Sequence, residues 1–102
     1  MGSPEKYYKM SLQKFAYALN FDTDKLKSDV LLKENDEEIL EQEILDCKNK
    51  IDQSEFYFYA GRVYGEILID TENNDGCDGF NACIGGLNMF MTFIGLKDEE
   101  EE

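Results

Sequence analysis

The chain has 102 residues, 42% of them hydrophobic and 13% aromatic, which is enough for one small core and too apolar for wholesale disorder. Its 23 acidic residues against 10 basic ones give a formal net charge of −13, a field that repels nucleic acid and anionic membrane and draws in basic partners. Histidine is absent, which removes the commonest general base, the commonest metal ligand and every Ser-His or Cys-His nucleophile.

In chain order, Ser3-Pro4-Glu5 reads as a helix start: a capping hydroxyl, proline at the first helical position and an acid in the first turn. Tyr8, Leu12, Phe15, Ala16 and Leu19 follow at helical spacing, predicting a first helix over residues 4–20 with a mildly basic surface at Lys6, Lys9 and Lys14. Phe21-Asp22-Thr23-Asp24 is a break and a new cap. A short helix is expected after it, with Leu26, Val30 and Leu31 inward and Lys25, Lys27 and Lys33 outward. Asp36 caps the next helix, predicted to run to about Gln53 with exposed pairs Asp46–Lys50 and Lys48–Asp52.

Two assignments compete over 56–70. Glu55-Phe56-Tyr57-Phe58-Tyr59 has strand propensity, with 62–69 as a hairpin partner. Phe56, Tyr59, Ala60, Val63, Tyr64, Ile67 and Leu68 instead fit the stripe of an amphipathic helix, and helix is preferred. Asp70 to Gly79, rich in Asn, Asp and Gly, reads as a loop, and Asp78 as the cap of a last helix over Phe80 to Leu96. That helix is apolar nearly all round, so it belongs at the centre of a bundle or at an interface. Its Gly85-Gly86 permits close approach of a neighbour, with Gly61 and Gly65 as the expected matching surface. Residues 98–102 are an acidic tail, expected to be disordered; 1–97 form the single helical domain.

From Leu40 through Ile44, Cys47, Ile51, Ser54, Phe58, Gly61 and Gly65 to Leu68, apolar or small residues recur at alternating steps of four and three. In one continuous helix these positions stack into a seam; Ser54 could instead cap a separate helix, which would kink the seam there. A seam left exposed, or the apolar last helix, makes a homodimer an expected outcome.

Chemistry-bearing patterns are sparse. Glu37, Glu38 and Glu41 on one helix, with Glu66 and Asp70 later, could offer oxygen ligands to Mg²⁺. Glu38-Ile39-Leu40-Glu41 resembles the E-x-x-E half of the pattern of the all-α nucleoside triphosphate pyrophosphohydrolases. The E-x-x-D half fails, because Glu66 and Asp70 stand one residue too far apart. A solvated acidic face is the plainer reading of these residues. An EF-hand loop from Asp70 would need glycine sixth and glutamate twelfth, where the chain has Asp75 and Asn81. Cys47, Cys77 and Cys83 lack C-x-x-C spacing and an activating histidine, so reduced, non-catalytic thiols are expected. The N-terminus has no apolar leader and the longest apolar stretch is interrupted by polar residues and glycines, so a cytoplasmic protein without a membrane span is expected.

The acids themselves are then the leading candidate. Glu34, Asp36, Glu37, Glu38, Glu41, Glu43, Asp46, Asp70, Glu72, Asp75 and Asp78 are the expected partner-binding surface. They could imitate spaced phosphates and occupy the basic site of a nucleic-acid-handling protein, as small acidic helical proteins of phages and mobile elements do. Tyr7, Tyr17 and Tyr57 would suit such an interface. The expectation is an all-α bundle of four to five helices, α+β if 56–70 is a hairpin. Its function is read as a non-enzymatic acidic protein-binding module with no catalytic residue, cofactor or metal. The alternative is a Mg²⁺-dependent nucleotide phosphohydrolase using Glu38, Glu41, Glu66 and Asp70, with Glu37 beside them.

Overall fold

The computed structural model describes residues 3–23, 37–74 and 76–96. It is all-α, a small helical bundle, with four helices and no strand among the described residues: α1 (Pro4–Thr23), α2 (Glu37–Lys48), α3 (Gln53–Asn74) and α4 (Gly76–Ile94). The expected short helix at Leu26, Val30 and Leu31, the caps at Asp24 and Asp36, and the tail lie outside the described residues.

The start of α1 follows the local chemistry. Lys6 N donates to Ser3 Oγ at 3.4 Å and to Ser3 O at 3.1 Å, so Ser3 caps the helix with Pro4 in its first turn. The helix runs three residues past its expected end, through Phe21-Asp22-Thr23. Asn49 N and Lys50 N turn back to Asp46 O and Cys47 O, closing α2 short of the expected end at Gln53. The pairs Asp46–Lys50 and Lys48–Asp52 are therefore not neighbours on one helix. Asp46 instead accepts from Gln42 Nε2 at 3.1 Å, and Lys48 Nζ sits 5.7 Å from both the Phe56 and Tyr57 ring centres.

A new helix starts where Phe56 N donates to Asp52 O at 2.9 Å, so Asp52, and not Ser54, occupies the capping position. This break resets the register. α2 buries the expected Leu40, Ile44 and Cys47, but α3 buries Phe56, Ala60, Val63, Ile67 and Thr71. The continuous seam therefore ends at the break: Ser54, Phe58 and Gly61 face outward, and Gly65 and Leu68 are half-buried. The segment 56–70 is helical throughout, because its 3.6-residue apolar period has a surface to bury against, which overrides the strand propensity of its aromatic run.

The expected Asp70–Gly79 loop is largely helix. α3 continues to Asn74 and α4 begins at Gly76, so Asp78 lies inside α4 and is not its cap. Thr71 and Gly79 are both buried, and that packing outweighs the turn-forming composition around them. α4 stops at Gly95, whose φ of 93° is the left-handed conformation that glycine adopts without penalty. Leu96 N donates to Met91 O and Gly95 N to Thr92 O, the paired bonds of a Schellman cap.

The chain forms two compact units, one of residues 1–11 and 64–102 and one of 12–63, so α1 and α3 each contribute to both. In the second unit the core is Leu12, Phe15, Ala16 and Leu19 of α1, Leu40, Ile44 and Cys47 of α2, and Phe56, Ala60 and Val63 of α3. Phe15 and Phe56 pack with ring centres 5.0 Å apart. In the first unit α4 is central. Its Phe93 meets Tyr8 edge-on at 6.3 Å, and its Cys83 thiol donates to the Ile67 carbonyl at 4.0 Å. Cys47 and Cys83 are buried free thiols.

Gly86 is where α4 meets α1: a Cβ there would lie 2.5 Å from Pro4 O, 2.6 Å from Tyr7 Cβ and 2.8 Å from Tyr8 N. The thin surface opposite Gly86 is thus the first turn of α1, and not Gly61 and Gly65, where an added Cβ would meet nothing within 4 Å. Tyr7, expected at an interface, is 1% exposed for the same reason. Gly61→Ala and Gly65→Ala are each expected to raise stability by about 0.5–1 kcal/mol, since a helix-interior glycine is replaced and the new methyl enters open space. Urea midpoints that rise with an unchanged slope would register this gain.

Candidate acidic interface

The acids expected to contact a partner divide between α2 and α3. Glu34, Asp36 and Asp75 lie outside the described residues, as does the Asp78 side chain. On α2, burial of Leu40, Ile44 and Cys47 fixes the inner face and turns the other residues toward solvent. Glu38 is exposed, and Glu37, Glu41, Glu43 and Asp46 are partly exposed. Two apolar side chains share this outer surface: Ile39, 41% exposed, and Leu45, 36% exposed. The result is acidic with apolar points in it, in place of a uniformly charged ridge.

On α3, Glu66, Asp70 and Glu72 are exposed, as is Glu55 near its start. The same outer side carries Phe58 at 61% and Ile69 at 57% exposure, with Gly61 and Gly65 between them. Arg62 lies along this side with its guanidinium 5.9 Å from the Tyr59 ring centre. Of the other tyrosines considered for an interface, Tyr17 is 64% exposed on α1 and Tyr57 is partly buried on α3.

Among the described residues no three histidine, cysteine, aspartate or glutamate side chains gather closely enough to hold a metal ion. Of the residues considered as Mg²⁺ ligands, Glu38 and Glu41 lie on α2 and Glu66 and Asp70 on α3. Among the described residues every buried side-chain nitrogen and oxygen has a hydrogen-bond partner. The buried Ser11 hydroxyl, for one, donates to Tyr7 O at 2.7 Å. No helix is long and apolar enough to cross a membrane among the described residues.

Ile39, Leu45 and the pair Phe58 and Ile69 are the surface residues that a charge-based reading of the sequence passes over. Their signal is positional. Once Leu40, Ile44 and Cys47 define the inner face, Ile39 and Leu45 fall outside it at 100° per residue, and α3 repeats this around Phe56, Ala60 and Val63. The chain matches no protein-family model, no curated protein and no solved structure.

Proposed function

We propose that this protein is a non-enzymatic acidic binding module that occupies a basic site on a nucleic-acid-handling protein in place of nucleic acid. The observation that carries the reading is the outer surface of α2. Its five acids, Glu37, Glu38, Glu41, Glu43 and Asp46, stand against one base, Lys48. At about 1.5 Å of rise per residue they are spread over roughly 14 Å, or about one charge per 3.4 Å of axis. That linear density is close to the roughly 3.4 Å per phosphate of a single DNA strand. The net charge of −13 supplies long-range attraction to a basic groove. Ile39 and Leu45 add what a phosphate backbone lacks, apolar contact that persists when salt screens the charges. The partner class is inferred from sign and spacing, with a phage or mobile-element inhibitor as the natural setting.

The test is capture of a partner from cell lysate on immobilised protein at low salt, with elution by rising salt and by duplex DNA. The expected result is a nucleic-acid-binding protein that DNA displaces. Its affinity should fall at least about tenfold in the Glu38→Lys, Glu41→Lys, Glu43→Lys triple variant. Glu38 is exposed, Glu41 and Glu43 are partly exposed and none is in the core, so circular dichroism should show the fold retained. A captured partner that is indifferent to both the reversal and the DNA would refute mimicry.

A further inference from the structure

We infer that the outer side of α3 is a second docking surface, built to take a cationic amphipathic α-helix of another protein. Phe58 and Ile69, 61% and 57% exposed, stand on one side of the helix three turns apart, about 16 Å along the axis. Gly61, exposed, and Gly65, half-buried, lie between them, and a Cβ added at either would meet nothing within 4 Å, so there is room where the flanking side chains project. A surface of two apolar knobs bracketing a glycine gap admits an opposing helix at the short end of interhelical distances. Among the described residues no neighbour occupies the Cβ space of either glycine, unlike Gly86, whose missing Cβ is where α1 approaches.

Charge identifies the occupant. α3 carries Glu55, Glu66, Asp70 and Glu72 against Arg62 alone, all of them exposed. A helix with an alanine and leucine stripe flanked by lysine and arginine complements that rim and fills the gap. A second copy of this chain would bring the same acids and another −13 of charge to the interface, so it is the poorer complement. The inference shares a basic partner with the proposed function but rests on a different helix, so each can fail alone.

The probe is a synthetic helical peptide of α3's length with an alanine/leucine stripe and lysine/arginine flanks. The control is the same peptide with glutamate at every basic position. Both are titrated by fluorescence anisotropy against the full chain at low salt. The cationic peptide should bind and the glutamate peptide should not. Phe58→Asp, and separately the double variant Gly61→Leu, Gly65→Leu, should each weaken binding at least about tenfold. The double variant keeps every charge, and its urea midpoint should equal or exceed that of the native protein, which separates docking from folding. The α2 triple reversal at Glu38, Glu41 and Glu43 should change peptide affinity by less than about threefold. Absence of binding to the native protein, or binding that survives both α3 variants, overturns the inference. So does a native dimer in sedimentation that Gly65→Leu dissociates, since a second copy is then the occupant.

Discussion

Phe56→Ala is expected to destabilise the protein by about 3–5 kcal/mol, a large share of the roughly 5–15 kcal/mol that holds a domain together. Phe56 is fully buried in the first turn of α3, where it is the first fully buried residue after the turn at Asn49–Asp52 between α2 and α3. Its ring packs on Phe15 of α1 at 5.0 Å and 59°, and Lys48 at the end of α2 places its ammonium 5.7 Å from the ring centre. One side chain thus ties three helices, and truncation removes contacts to all of them while leaving a cavity that α-helical backbones cannot close. Phe56→Leu keeps most of the apolar volume and is expected to lose only about 1–1.5 kcal/mol. Urea unfolding measures both: midpoints should fall in that order with little change in slope. A native-like midpoint for Phe56→Ala would show that this unit is not organised around the ring.

The parts of the fold legible in the sequence are those decided within a few residues. Ser3-Pro4-Glu5 specifies a cap whatever follows, and the Tyr8–Leu12–Phe15–Leu19 spacing specifies a stripe that is indeed buried. Over 56–70 the helical period was the better guide than the β-propensity of four consecutive aromatics, because burial of Phe56, Ala60, Val63 and Ile67 is a tertiary gain. What the sequence hides is where register changes. Nothing in Asn49-Lys50-Ile51-Asp52 announces that the apolar seam stops there, since Ile51 and Ser54 continue the pattern. Composition also misleads at Asp70–Gly79, where turn-forming residues sit in helices because Thr71 and Gly79 pack inward.

The candidate interface was half legible for the same reason. The sign of the surface and the placement of Glu38, Glu41 and Glu43 on a solvent-facing helix follow from counting charges and from the period of Leu40 and Ile44. The apolar points do not, because whether Ile39, Phe58 or Ile69 is core or surface depends on which side of each helix a neighbour covers. Phe58, Gly61 and Gly65 do line up in the sequence as part of one stripe. The structure leaves Phe58 and Gly61 exposed and Gly65 half-buried, outside the monomer core.

The glycines supply the second large effect and a test with internal controls. Gly86→Ala is expected to destabilise by about 2–3 kcal/mol even though alanine is the better helix former by about 1 kcal/mol. The added methyl would lie 2.5 Å from Pro4 O and 2.8 Å from Tyr8 N, backbone atoms that can yield only if the first turn of α1 moves away from α4. Such a shift would also open the Tyr8–Phe93 contact and the burial of Tyr7. One residue earlier, a Gly85 methyl meets only the Pro4 Cβ and Cγ at 3.3 Å, a proline edge that can give by a few tenths of an ångström. Gly85→Ala is therefore expected within about 1 kcal/mol of the native protein, the helix gain offsetting the contact. With Gly61→Ala and Gly65→Ala raising stability, the same substitution in two helices should change sign according to what faces it. Equal urea midpoints for Gly85→Ala and Gly86→Ala would mean that α1 does not rest on α4 at Gly86. The burial of Tyr7 would then need another cause.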